Sequence, residues 1–142
     1  MTQRLTLIAY GTPAPQGSKR HVGNGRMIES SKKVRPWRQD VKFAALQLCE
    51  RKEPLDGPLR VRMVFTLRKP KSAPKRRRTY PDRTPDLSKL IRSTEDALTD
   101  AGLWADDARV VEYSRTAKVF PGEDAEALDR PGVRIVVERI AA

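Results

Sequence analysis

Three carboxylates in one stretch of this chain are of the type that could hold a divalent metal for work on a phosphodiester. Residues 84–113 read TPDLSKLIRSTEDALTDAGLWADDARVVEY. Asp86 opens an amphipathic run, and Asp106 and Asp107 follow the glycine that ends it. A phosphodiester is a stable, charged electrophile. Its hydrolysis needs a water activated near neutral pH and a counter-charge for the developing oxyanion. One or two Mg²⁺ ions supply both, and hard Mg²⁺ prefers carboxylate oxygens while keeping several waters. Asp86 and Asp106/Asp107 could meet if the chain doubles back at Gly102. Each also has a plainer use: Asp86 suits a helix N-cap, and Asp106-Asp107 suits a turn.

The elements that must hold these acids follow from periodicity. Leu87, Leu90, Ile91, Thr94 and Leu98 recur at helical spacing, and Gly102 is a natural left-handed stop. Leu103 and Trp104 are expected to tuck onto the core, ahead of a strand over 109–120. Upstream, residues 4–10 read as a strand, broken by Gly11, Pro13, Pro15 and Gly17. The loop beyond carries Lys19, Arg20 and Arg26, which either hold phosphates or stay solvated. It contains no Walker or GxGxxG pattern. Ser30 or Ser31 can cap a helix reaching about residue 51, with Pro36 in its first turn and Trp37 on its apolar stripe. Residues 59–67 alternate as a half-buried strand, with Leu59, Val61, Met63, Phe65 and Leu67 on one side and Arg60, Arg62 and Thr66 opposite. Residues 121–131 form an acidic loop, and 133–140 a last strand.

Between Arg60 and Arg83 stand ten Lys/Arg and one acid, Asp82. Pro70, Pro74 and Pro81 keep much of this run irregular. Flanked by ordered elements and abutting the acids, it reads as a DNA-gripping loop rather than a merely solvated one. Lys75, Arg76, Arg77 and Arg78 would take backbone phosphates, and the loop would order when they arrive.

The whole chain carries a net charge of +11, with 33% charged residues over 142 positions. That length fits one domain, 1–142, with a real core. The positive excess favours an anionic partner, for which nucleic acid is the commonest choice. One cysteine and one histidine exclude a Cys/His zinc site, a disulfide framework and a histidine-pair mechanism within one chain. Cys49 is expected to be a buried small hydrophobe. With no leader and no run long enough to span a bilayer, the expectation is a soluble, cytoplasmic protein without membrane contact.

The run from Pro85 to Tyr113 also resembles the core of the RusA family of Holliday junction resolvases. The likeness lies in Asp86-Leu87-Ser88-Lys89-Leu90, Asp96-Ala97-Leu98, Gly102, Trp104, Asp106-Asp107 and Val110-Val111. It covers about thirty residues; elsewhere only length, element order and charge agree. The resemblance implies an α/β fold of α+β type, with a small mixed sheet of about four strands and two main helices packed on it. It implies a homodimeric, Mg²⁺-dependent endonuclease, with Mn²⁺ as substitute and no small-molecule cofactor. Such an enzyme cuts four-way branched DNA symmetrically in recombination and repair, in bacteria or phage-infected cells. Asp86 and Asp107 match metal-binding aspartates, and Asp106 the aspartate beside them. Ser88 stands where the family has a second metal-binding Asp, so a charge is lost. Asp82, Glu95 or Asp96 are the acids that could compensate. Arg92 replaces a catalytic lysine, and Lys89 lies one turn earlier. Ser88 also supports a different reading, a nucleic-acid-binding protein that keeps the fold without cutting. An RNA-binding domain is a third, but no RNP1 run or GXXG clamp is present.

Overall fold

A computed structural model describes residues 4–16, 19–21, 27–29, 32–49 and 53–140, with backbone alone at 19–21 and 27–29. Strands β1 (Arg4–Tyr10), β4 (Leu59–Thr66), β5 (Val110–Val119) and β6 (Gly132–Arg139) make a four-stranded mixed sheet in the order β1-β6-β4-β5. Two short strands, β2 (Lys19–His21) and β3 (Met27–Glu29), pair antiparallel where the sequence suggested only loop. Three-residue strands carry too few alternations to register in a pattern. Helices α1 (Val34–Cys49) and α2 (Leu87–Ala101) complete a small α+β fold. The expected Ser30 or Ser31 cap lies outside the described residues.

β6 pairs antiparallel with both β1 and β4, whereas β4 and β5 run parallel. A parallel pair cannot be closed by a hairpin and needs a crossover. The chain between β4 and β5 provides it, with α2 as its helix. At Gly132 β1 leaves no room for a side chain, because a Cβ there would stand 2.4 Å from the Ala9 carbonyl oxygen.

The core forms where α1 and α2 pack on the sheet. Leu59, Val61, Met63 and Phe65 of β4 meet Trp37, Val41 and Ala45 of α1 and Leu90, Ala97 and Leu98 of α2, all essentially inaccessible. Trp37 is a core residue, as its apolar stripe suggested. Its indole N–H donates to Thr94 Oγ1 at 3.2 Å, which satisfies the one polar atom that burial would strand. Cys49 is only half-buried, its thiol close to the Ala45 and Ala101 carbonyls.

β4 departs from half-burial: Val64 and Thr66 on its other face are buried too. The acidic segment 121–131 crosses that face. Leu128 N–H donates to Thr66 Oγ1 at 2.8 Å, and Arg62 pairs with Glu126 at 3.0 Å.

The Trp37–Thr94 bond makes a testable statement about this core. Thr94→Val keeps the shape but leaves a buried N–H unpaired, and should cost about 1–3 kcal/mol. Urea midpoints at unchanged slope measure it. In a Trp37→Phe background the same change should cost less, because the orphaned donor is gone.

Candidate active site and nucleic-acid interface

The first half of the candidate site is the start of α2. Asp86 is the N-cap residue by backbone, extended at φ −68° and ψ 134°. Its carbonyl accepts from the N–H groups of Lys89 and Leu90. Its side chain makes no cap hydrogen bond among the described residues. The cap expected from sequence is thus made by backbone geometry alone. The carboxylate is half-exposed and 3.5 Å from Lys89 Nζ. Ser88 and Arg92 are exposed nearby on the same helix. Neighbouring segments hold this turn in place. Lys118, near the end of β5, donates to the carbonyls of Arg83 and Pro85 at 2.8 and 2.9 Å. From the early loop, Gln16 N–H reaches the Lys89 carbonyl, and Ala14 O accepts from Ser93 Oγ. Lys19 and Arg20 follow in β2, with side chains outside the described residues, as is Arg26.

The second half precedes β5. Gly102 takes the left-handed conformation, φ 78°, that the helix stop requires. Trp104 is buried, its indole N–H 2.7 Å from Thr99 Oγ1, and a bridge to Leu55 straps the turn to the body. Asp106 then performs the turn role that its sequence allowed. Its Oδ1 accepts from Ala108 N–H at 3.0 Å, and Arg109 stands 3.2 Å away. Arg109 is held from its other side by Asp56, whose pKa it lowers. Asp107 begins the single turn of 3₁₀ helix and is exposed.

Asp107 lies within electrostatic reach of a further pair, Glu95 and Tyr113. Tyr113 Oη donates to Glu95 Oε2 at 2.5 Å, joining β5 to the middle of α2. Burial raises the pKa of Glu95, and repulsion from Asp107 and Asp96 adds to it against the Tyr113 hydrogen bond. Burial also pushes the Tyr113 phenol well up, as do its bond to Glu95 and the charge of Asp107. Glu95 was named only as a possible substitute for the acid missing at Ser88. Its link to Tyr113 spans eighteen positions, so no local signal announces it.

Among the described residues, no group of three or more His, Cys, Asp or Glu side chains is arranged to hold a metal ion. Asp86 has Lys89 as neighbour, Asp106 has Arg109, and Asp107 acts on Glu95. The donor chemistry still suits Mg²⁺: exposed hard oxygens, few in number, for an ion that retains most of its waters.

Ion pairs tie the basic segment to the body of the protein. Lys69 pairs with Glu123 at 2.6 Å and Arg78 with Asp124 at 2.9 Å, while Glu123 also accepts from Thr79 N–H. Asp124 further binds Arg115 at 2.7 Å, and its side chain is only 7% exposed. Arg115, the Glu126 N–H and Arg78 hold its carboxyl far below the usual range. Arg78, expected on DNA with Lys75, Arg76 and Arg77, is exposed as they are but also pairs with Asp124 within the protein. The acidic loop facing the longest basic run was the available signal for this clamp.

The family model described as endodeoxyribonuclease RusA matches residues 10–138. The chain belongs to the RusA endodeoxyribonuclease family. No curated protein sequence matches the chain significantly. Every acid and cation discussed above lies inside the RusA match. This RusA-family chain is therefore read as an endodeoxyribonuclease. Among the described residues, no helix is long and apolar enough to cross a membrane.

Two outcomes follow from these ionisations. Glu95 holds its proton more tightly in the native state than when unfolded. Its contribution is therefore most favourable below its ordinary value of 4.5 and declines as pH rises through the raised folded value. Glu95→Gln should make the metal-free protein more stable than the parent at pH 7, with the gap closing toward pH 4. Thermal melts at both pH values decide it. For Asp124 the sign reverses: its stabilisation is complete above 3.8 and is lost as pH falls through the depressed folded value. Asp124→Asn should speed tryptic cleavage at Arg76–Arg78 at pH 7 by several-fold while the core stays protected.

Proposed function

We propose that the chain is one Mg²⁺-dependent endodeoxyribonuclease domain that resolves four-way DNA junctions in recombination and repair. It acts on cytoplasmic DNA as a homodimer, whose two-fold symmetry matches that of the junction and yields paired nicks. The observation that carries this reading is the Asp86 carboxylate. It heads the crossover helix, makes no cap hydrogen bond, and lies at the end of an ordered basic segment in a RusA-family chain.

In this reading Asp86 and Asp107 are carboxylate ligands for Mg²⁺, or Mn²⁺ in its place. Within one chain they stand at opposite ends of α2, about 22 Å of helix, so the proposed dimer has to bring them to one ion. When bound, the ion supplies Lewis acidity and an activated water. Asp106 is committed to its turn and Arg109, so its part is to aim Asp107. Ser88 offers a neutral hydroxyl, which leaves the site one charge short, and Glu95 is the acid nearest in chemistry to making it up. Arg92 and Lys89 offset charge on the phosphoryl oxygens. Arginine stays protonated throughout, so Arg92 is a charge stabiliser and not a proton donor. Lys75, Arg76 and Arg77, together with Lys19 and Arg20, grip backbone phosphates and position the strand without reading sequence.

A synthetic four-way junction with Mg²⁺ tests the proposal. Paired nicks are expected, chelation should abolish them, and Asp107→Asn should slow cutting by roughly 100-fold or more, as loss of an electrostatic contributor to a transition state does. If Asp107→Asn cuts at the parental rate, the assignment fails. A second reading, a junction-binding protein that does not cut, is favoured by Ser88 and by the lack of a three-acid cluster among the described residues. It requires equal junction affinity with and without Mg²⁺ and no scission at any protein concentration.

A further inference from the structure

Residues between 67 and 85 curl around a cavity of about 720 Å³ beside the start of α2. Pro70, Pro74 and Phe120 give it apolar walls. Arg77 and Arg83 bring charge to it, opposed by one acid on the wall, Asp82. Tyr80 lines it too and is 65% exposed. That ring is not left to wander: the Arg78 guanidinium stacks over it at 4.8 Å from the ring centre, and Asp124 fixes Arg78. Thr79 also lines the cavity, and its buried hydroxyl oxygen has no hydrogen-bond partner among the described residues.

A surface that only tracks phosphates needs exposed cations and no hole. An apolar-walled cavity with a braced aromatic and arginines fits a flat heterocycle that carries phosphates. We propose that this cavity accepts one unpaired nucleotide, with its base stacked on Tyr80 and its flanking phosphates on Arg77 and Arg83. The inference rests on the junction-nuclease reading for its source of unpaired nucleotides, the branch point. Pro85 belongs to the cavity wall and immediately precedes Asp86. A strand with one base in the cavity therefore carries its next phosphodiester toward Asp86. The pocket gives branch selectivity to a surface that would otherwise hold any DNA.

Anisotropy binding in EDTA, where no cutting occurs, tests this with parent, Tyr80→Ala and Tyr80→Phe. Stacking on an aromatic is sequence-tolerant, and its loss should weaken binding of an intact junction about five- to 100-fold in Tyr80→Ala. Tyr80→Phe should bind like the parent. On a junction with abasic nucleotides at the branch, and on linear duplex, all three should bind alike. Equal junction affinity for Tyr80→Ala and parent overturns the pocket, as does an equal loss on duplex. If the parent cuts junctions while Tyr80→Ala binds as tightly, the pocket fails and the nuclease reading stands. If the parent neither prefers nor cuts junctions, the nuclease reading fails, and a short oligothymidylate decides the pocket. Weaker binding by Tyr80→Ala but not Tyr80→Phe then supports it, and equal binding overturns it.

Discussion

Two neighbouring strands that run the same way cannot be joined by a tight turn, and this constraint organises the molecule. β4 and β5 are such a pair, so the chain must leave one end of the sheet and return to the other. α2 is the return path. The acids at issue flank it: Asp86 where the chain enters the helix, and Asp106 and Asp107 where it turns back into β5. The same topology makes β5 an outer strand. Two register shifts interrupt its pairing with β4, which blunts an edge that would otherwise invite another strand. On that strand Tyr113 reaches Glu95 and Lys118 reaches the Pro85 carbonyl, so β5 touches α2 at its middle and its start.

A chain with an excess of eleven positive charges must also keep its cations from pushing one another apart. The acidic loop after β5 does this locally. Asp124 is its hub, nearly inaccessible and shared by Arg78 and Arg115. Charge-assisted bonds to a shielded carboxylate outweigh an exposed pair such as Arg38–Asp100, worth about 0–1 kcal/mol. The result is a basic segment fastened to the acidic loop by ion pairs. Some of its cations are spent on that clamp, while Lys75 to Arg77 make no part of it and are exposed.

Elements governed by near neighbours were legible. The strand at β4, the apolar stripe of α2, the Gly102 stop and the burial of Trp37 follow from local spacing and hold in the fold. The short β2–β3 pair was not legible, because three residues cannot display a period. Nor was the burial of Thr66 and Val64, because the segment that covers them lies more than fifty positions later in the chain. At the site, Asp86 could be read as cap or ligand. The answer depends on side-chain direction, which spacing does not encode.

By itself the sequence determined the helix and strand types, the family, and which acids and bases are available to chemistry. These depend on periodicity and residue type, which are properties of short stretches. The tertiary structure alone decided which charges are consumed. It bound Arg78 to Asp124, gave Asp106 to Arg109, joined Glu95 to Tyr113, and left the Asp86 carboxylate without a cap hydrogen bond. Ion pairs and desolvation act through space at a few ångströms. Two residues become partners only when the sheet and its crossover bring them together.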